Sequence, residues 1–424
     1  MKRSIFSLAL MLAAMYSVRS QTLTLQGCLE LARRNYPLIK QKDLIVRSKE
    51  FTIANAHAGY LPQVSINAQA TYQSDVTKVP IDLPGLSIKP LSKDQYRIYA
   101  EINQNLYDGG TIRRTSDLQT SGSQVDDQRV EVELYSIKDR INQLYFGILL
   151  LNQQLDLNGL LRKDIQTSLT KAEASIQNGT ALKMNAQILQ AELLKVKQRD
   201  IESKASRKAF MDMLGMFVNE QLGDARQLSA PEFLTPVNVL TQLNRPELKL
   251  FNFQRQQISN QYLLTNTRNK PKLGLFVQGG YGRPGLNALQ NDFSTYYLGG
   301  VRLSWNLSGF YNTGRDRQLM EVNTKMVDTQ QDLFLFNTRM VLRQQSSEMN
   351  KLDELIGVDN EIIVLRSKIL EAAKAQLDNG VISANDYLRE LTAEDQAMQN
   401  KLLHEVQLQL ARMNYQTTSG NNGQ

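Results

Sequence analysis

The residues best equipped for chemistry in this 424-residue chain are few, and they do not converge. Gly280-Tyr281-Gly282-Arg283-Pro284-Gly285 reproduces the letters of the dinucleotide-binding glycine pattern. That pattern works only where the glycines follow a strand and open a helix, whose N-terminal N–H groups hold a pyrophosphate. Here Pro284 leads into further loop, so the segment reads as a turn beside a strand. His57 and His404 are the only histidines and neither has a companion at ligand spacing, so exposed helix positions account for both. Cys28 is the only cysteine, which excludes an intrachain disulfide and leaves any thiolate metal site short of ligands. Leu25-Gln26-Gly27-Cys28 has the letters of a lipid-attachment box, yet it sits inside a helical pattern, where an ordinary buried cysteine is the competing reading. No serine or cysteine triad and no phosphate loop is legible, so the chain reads as a non-enzyme without cofactor or metal. One carboxylate is placed with a physical purpose. Asp386 follows Ser383 by three residues at the start of a helical run, where the helix N-terminus favours negative charge.

The elements that hold these residues are more informative than the residues themselves. Met1-Lys2-Arg3, an apolar run from Ile5 to Tyr16 and the Val18-Arg19-Ser20 end follow the plan of a secretory signal peptide, putting the mature start at Gln21. That run is too short to span a bilayer as a helix, which takes about 20 residues, and no later apolar run approaches that length. The formal charge of +7 falls to +4 without Lys2, Arg3 and Arg19, too slight a balance to indicate nucleic acid.

The mature chain is written twice. Asn35-Tyr36-Pro37, Leu61-Pro62 and Tyr72 recur as Asn244-Arg245-Pro246, Lys270-Pro271 and Tyr281 at one constant offset, and Leu106 and Asn178-Gly179 recur as Leu307 and Asn379-Gly380 at a second. Only the loop between paired strands changed length. The organisation expected is a signal peptide at 1–20, a first repeat at 21–223, a linker at 224–242, a second repeat at 243–415 and a flexible tail at 416–424.

Within each repeat a helical segment ends at a proline and gives way to strict alternation, the signature of a strand with two unlike faces. Val64, Ile66, Ala68, Ala70 and Tyr72 alternate with Gln63, Ser65, Asn67, Gln69 and Thr71, and Ile98, Ala100 and Ile102 alternate with Arg97, Glu101 and Asn103. In the second repeat the apolar series are Leu273, Leu275, Val277 and Tyr281, then Val301, Leu303, Trp305 and Leu307. Strands are thus expected at about 62–107 and about 271–307, two in each repeat. Each stretch is about 10 residues long, enough for a tilted strand to cross hydrocarbon. Tyr60, Tyr72, Tyr96, Tyr107, Tyr281, Phe293, Tyr296, Phe310 and Tyr311 border the apolar series as an aromatic girdle would. A soluble sheet with one face on a core alternates in the same way. Against that, charged residues share the polar face and the girdle flanks it. Four strands cannot close, since small barrels need about 8, and open edges are not tolerated in lipid. Three copies would supply twelve.

Each strand pair precedes a long proline-free helical pattern, 111–177 and 315–378, about 100 Å long if straight. Leu134, Ile137, Ile141, Leu144, Ile148, Leu151 and Leu155 follow a coiled-coil seam. The second helix carries two adjacent sevenfold series, Leu355, Ile362 and Ile369 beside Ile356, Ile363, Leu370 and Leu377, which calls for a partner on each side. Both end at Asn-Gly, where glycine takes the left-handed conformation that stops a helix. Helical pattern resumes at 182–214 and 384–413, so each repeat carries a helical hairpin, at about 111–214 and 315–413. The fold class is α+β, with strands for a shared barrel and long helical hairpins.

Leu23-Thr24-Leu25, Cys28-Leu29-Glu30-Leu31-Ala32, Asn35-Tyr36-Pro37, Ala58-Gly59-Tyr60-Leu61-Pro62, Gln104-Asn105-Leu106-Tyr107-Asp108-Gly109-Gly110 and Asn244-Arg245-Pro246-Glu247-Leu248, in that order and duplicated, resemble the TolC-like outer-membrane efflux proteins over nearly the whole mature chain. The resemblance implies a homotrimer with a twelve-stranded β-barrel in outer-membrane lipid, continuous with an α-helical barrel in the periplasm of a Gram-negative bacterium. It implies a passive duct for efflux or type I secretion, fed by an inner-membrane pump of RND or ABC type through a periplasmic adaptor. The tips Asn178, Gly179 and Thr180, and Asn379, Gly380, Val381 and Ser383, would meet the adaptor, and acidic residues near the second tip would constrict the closed duct. Asp386 falls at one such position, while Arg389 stands where the family pairs a second aspartate, which weakens the case for a cation-binding ring. A periplasmic coiled-coil adaptor is the alternative, also secreted and hairpin-rich, though without paired barrel strands.

Overall fold

Two prolines start the two hairpins. Proline cannot donate to a strand ladder, and β1 (Gln63–Tyr72) and β3 (Lys272–Arg283) begin directly after Pro62 and Pro271 in this computed structural model, which describes residues 22–77, 90–180, 182–224, 226–231, 243–287 and 289–421. With β2 (Asp94–Tyr107) and β4 (Ser294–Ser304) they form one antiparallel sheet in the order β1-β2-β3-β4. The two repeats join across β2 and β3, where Ile98, Ala100 and Ile102 oppose Tyr281, Gly279 and Val277. Among the described residues, the outer edges of β1 and β4 have no strand partner.

Two sequence expectations change here. Gly280, Gly282 and Arg283 lie inside β3, so the glycine-rich segment is strand until Pro284 rather than a turn. Gly280 is required by close approach: a Cβ there would stand 2.6 Å from Cβ of Tyr99 and 2.8 Å from the Tyr296 ring. The last strand stops at Ser304, short of Leu307. Asn306 accepts a hydrogen bond from the Ser308 N–H at 3.1 Å and starts a 3-10 turn over Leu307–Tyr311, a local side-chain bond that competes with the ladder.

The helices are α1 (Leu25–Asn35), α2 (Lys40–His57), α3 (Thr111–Gln177), α4 (Lys183–Val218), α5 (Pro246–Thr265), α6 (Thr313–Asp378) and α7 (Ala384–Ser419). Asp108 starts α3: its carboxylate accepts from the Gly110 and Ile112 N–H groups at 2.8 and 2.6 Å, while Gly109 and Gly110 take positive φ of 71° and 83°. At 67 residues, α3 is about 100 Å of continuous helix. Among the described residues no helix is long and apolar enough to cross a membrane.

Contacts group the chain into two units that do not coincide with the sequence repeats, because each draws on both. One contains all four strands and runs over Gln41–Arg129 and Glu247–Asp332. The other takes in residues up to Lys40, Val130–Pro246 and the chain from Leu333 onward. In this second unit the fully buried Tyr145 hydroxyl lies 2.8 Å from the Leu23 carbonyl and 2.6 Å from that of Ser229. Burial pushes its pKa up to about 12. Cys28 is completely buried on α1, and desolvation pushes its thiol up to about 12 as well, so the lipid-box letters mark a core position.

The first residues of the expected tail at 416–424 are helical instead: α7 runs to Ser419 and Gly420 closes it at φ 81°. Tyr415, Thr417 and Ser419 are buried, and the Thr417 carbonyl accepts from the Tyr135 hydroxyl at 2.7 Å, so this last turn is packed. His404 is also not an exposed helix residue: its Nδ1 lies 2.6 Å from Oδ2 of the buried Asp359. His57 is exposed, as the sequence suggested. The segment 1–20 and most of the linker 224–242 lie outside the described residues.

Candidate functional site

Alternation in the strands sorts the sheet into two faces, and the register assigns each residue to one. Val64, Ile66, Ala68 and Ala70 lie across from Ile102, Ala100, Ile98 and Tyr96, and this row continues through Val277 and Tyr281 to Val301 and Leu303. These side chains have nothing over them: Ile66 is 76% exposed, Val301 63% and Leu303 68%. A contiguous apolar face of this size marks a surface that meets lipid or protein. The opposite face carries Ser65, Asn67, Gln69, Arg97, Glu101, Gln278 and Arg302.

Aromatic residues sit at both ends of the apolar face. At one end Tyr72 closes β1, and Tyr96 and Tyr281 stack on Phe293 with ring centroids 6.4 and 5.5 Å away. Arg283 lies over Tyr96 and Phe293 and pairs with Asp94. At the other end are Tyr60, Tyr107, Phe310 and Tyr311, all exposed, together with Trp305, whose indole N–H donates to the Asn269 carbonyl at 3.0 Å. One expected girdle residue belongs elsewhere. Tyr296 opposes Gly280 and so lies on the polar face, while its neighbour Tyr297, 84% exposed, is on the apolar one. Strand parity holds the signal, since 297 is an even number of residues from Val301 and 296 is not.

The two hairpin tips share one backbone design. Thr180 N–H bonds the Ser175 carbonyl at 2.9 Å and Val381 N–H bonds that of Gln376 at 2.8 Å, equivalent positions of the repeats. Gly179 and Gly380 take φ of 73° and 72° to permit it, the left-handed stop that Asn-Gly predicts. Asn178 and Asn379 directly follow the last helical residues, their N–H groups still bonding the Ala174 and Ala375 carbonyls at 3.1 and 3.2 Å; Ala181 lies outside the described residues. Beyond the turn the tips diverge. Ser383 and Asp386 form a reciprocal capping box, Ser383 Oγ accepting from Asp386 N–H at 3.2 Å and the Asp386 carboxylate accepting from Ser383 N–H at 3.2 Å. The Ser383 hydroxyl and then its N–H hold the Asp386 carboxyl below the usual carboxylate range, with a smaller contribution from Arg389. The first tip has Leu182 at the cap position, without any side-chain cap. Arg389 is 73% exposed at its side chain and pairs with Glu390 at 3.1 Å. Val381, already expected at the tip, is 71% exposed, and Leu182 and Met184, which sequence reasoning passed over, are 67 and 58% exposed; together they give the tips an apolar surface.

Behind the tips, Ile165, Leu189, Tyr387 and Leu391 form the centre of a core drawn from α3, α4, α6 and α7. Four ion pairs join these helices in a closed cycle: Arg162 to Asp200 at 2.8 Å, Arg199 to Asp395 at 2.9 Å, Arg366 to Glu390 at 3.2 Å and Lys171 to Asp378 at 2.8 Å. Among the described residues no group of acidic, histidine and cysteine side chains could hold a metal ion.

The family resemblance read from the sequence is borne out: residues 28–210 match the family model described as outer membrane efflux protein. No curated protein matches the chain by sequence. Solved structures share the fold, among them the following three. The outer membrane protein VceC from Vibrio cholerae is 14% identical with a TM-score of 0.65, covering 93% of this chain and 96% of its own. The CmeC outer membrane channel of Campylobacter jejuni is 14% identical with a TM-score of 0.63, covering 94% of this chain and 85% of its own. The open state of the Neisseria gonorrhoeae MtrE outer membrane channel is 12% identical with a TM-score of 0.63, covering 94% of this chain and 89% of its own.

Proposed function

We infer that this chain, an outer membrane efflux protein by the pattern of residues 28–210 and by its fold, is the outer-membrane channel component of a tripartite efflux or type I secretion system. The observation that carries this reading is the sheet: among the described residues, four strands with an uncovered apolar face, aromatic residues at both ends and two unpaired edges. Lipid covers such a face without cost, and water does not. The edges must still be satisfied, and three copies of the sheet close a twelve-stranded barrel whose polar faces line an aqueous lumen. A second feature supports self-association. Leu319, Val322, Met326, Leu333, Phe336 and Met340 form an exposed apolar stripe along α6 at coiled-coil spacing, the seam a second copy would cover.

The duct is passive. Energy and cargo choice belong to an inner-membrane pump of RND or ABC type, and a periplasmic adaptor bridges pump and duct at the tips Asn178–Thr180 and Asn379–Ser383. The apolar Leu182, Met184 and Val381 suit that contact. Asp386 and Arg389 are candidates for the periplasmic constriction, though the capping box already gives Asp386 a structural role. Tyr60, Tyr72, Tyr96, Tyr107, Tyr281, Phe310 and Tyr311 serve as the girdle with Tyr297. The adaptor alternative has no use for an uncovered sheet with aromatic borders. Fractionation and gel migration test the reading: the duct requires outer-membrane protein that migrates as a trimer and shifts on heating, and soluble monomer refutes it. Asp386→Ala tests the constriction, since unchanged single-channel conductance and cation block would exclude a gating role.

A further inference from the structure

The polar face of the sheet is not neutral. Its charged residues in the described strands are Arg97, Lys272 and Arg302 against the single carboxylate of Glu101. Glu101 is already committed. It is buried, accepts from Gln278 Nε2 at 2.8 Å and lies 3.5 Å from Arg302 Nη1, whose guanidinium is held 4.6 Å from the centre of the Phe276 ring. That pair cancels locally. Lys272 stands at the first residue of β3, at the rim.

Arg97 is different. It is exposed, and among the described residues it has neither an ion pair nor a hydrogen bond. Glu101 is four residues along the same strand, about 13 Å away. That exceeds the Debye length of about 10 Å at 0.1 M salt, so Glu101 neutralises it little. The neighbouring strands set no carboxylate opposite it: Arg97 faces Gln69 on one side and Gly282 on the other, and a Cβ on Gly282 would stand 3.0 Å from Arg97 Cγ. The glycine leaves room for the arginine stem against the strand.

We propose that Arg97 makes the sheet-lined part of the duct favour anionic over cationic solutes. This rests on the duct reading, under which three copies place three guanidinium groups in one ring. At roughly 10 Å from the axis, in water and with a Debye length of about 10 Å, their summed attraction gives an anion-over-cation preference of about fourfold. The class of cargo favoured is small organic or inorganic anions.

The test is reversal potential in a KCl gradient across planar bilayers of neutral lipid, using the full-length trimer selected for heat-modifiable migration. The native duct should show a chloride-to-potassium permeability ratio of about 4 at low salt, falling toward 1 near 1 M salt, where the Debye length is about 3 Å. Arg97→Gln should bring the low-salt ratio to about 1, and Arg97→Lys should retain the native value. Cation preference in the native duct, or a ratio that Arg97→Gln leaves unmoved, overturns the inference while conductance itself upholds the duct. Absence of any conductance from folded trimers refutes the duct and this inference together. Should Arg97→Gln fail to assemble, Arg97→Lys at low and high salt still decides, because a ratio independent of salt refutes a charge origin.

Discussion

Placing an arginine at Val277 separates a lipid-facing sheet from a water-facing one. Val277 lies midway along β3, which is bracketed by Lys272 and Arg283, and its side chain is on the apolar face, 54% exposed. The eleven rises between Lys272 and Arg283, at about 3.4 Å each and tilted by about 40°, span roughly 28 Å of bilayer normal, close to the hydrocarbon thickness of about 30 Å. The two charged ends therefore reach the two interfaces, and Val277 falls near the midplane. An arginine there costs about 2–4 kcal/mol in a membrane barrel, hence about 6–12 kcal/mol in a trimer. On a water-exposed sheet the same change stays within about 0.5 kcal/mol. Ser65→Arg is the control, because Ser65 is exposed on the polar face opposite Glu101. The assay is the amount of heat-modifiable trimer in the outer-membrane fraction and its loss with rising urea. Val277→Arg should nearly abolish the trimer and Ser65→Arg should leave it intact. Equal abundance and equal urea resistance of the two variants would refute the lipid-facing assignment.

Further outcomes follow from the tip cap, from buried Cys28 and from the close approach at Gly280. Ser383→Ala removes the capping box and should destabilise the second tip by about 1 kcal/mol, read as faster amide exchange in the first turn of α7; exchange as slow as in the native chain contradicts the cap. The same bonds hold Asp386 below its ordinary pKa. A depressed carboxylate stabilises the fold above the unfolded pKa of about 3.9 and loses that contribution as pH falls through its folded value. The protection factor of the tip amides, exchange normalised to the intrinsic rate at each pH, should then be flat between neutral pH and about 4 and fall only below, and Ser383→Ala should raise the Asp386 titration midpoint seen by NMR. Cys28, buried with a pKa of about 12, should resist maleimide at neutral pH in the native protein and react once urea unfolds it; rapid native labelling would show that α1 is not packed. Gly280→Ala forces a Cβ to within 2.6 Å of Tyr99 and should cost about 1–3 kcal/mol in trimer stability, whereas Gly279→Ala, with open space around it, should cost less than 1 kcal/mol.

Local pattern made most of the elements legible. Period-two alternation placed the strands to within a few residues, since a strand with unlike faces repeats that contrast at every second position. Asn-Gly placed both tips, because glycine tolerates the positive φ that Gly179 and Gly380 adopt. The duplication survives in three dimensions as equivalent hydrogen bonds in the two turns. Local rules also produced the errors. Gly280 looked like a turn residue and is a strand residue that gives Tyr99 and Tyr296 room, a constraint set by neighbours on other strands.

The sequence alone thus determined which segments are strand, helix and turn, which strand positions share a face, and that four strands per chain leave a barrel incomplete. Each of these depends on residues within a few positions of one another. Only the tertiary structure decided that β2 pairs with β3 to join the repeats, that Arg302 and not Arg97 answers Glu101, and that four ion pairs tie the helices behind the tips into a cycle. It also showed that Asp359 meets His404 and that Tyr145 gathers Leu23 and Ser229. The physical reason is sequence separation: these partners stand tens to hundreds of residues apart, and no spacing along the chain encodes which side chains packing will bring into contact.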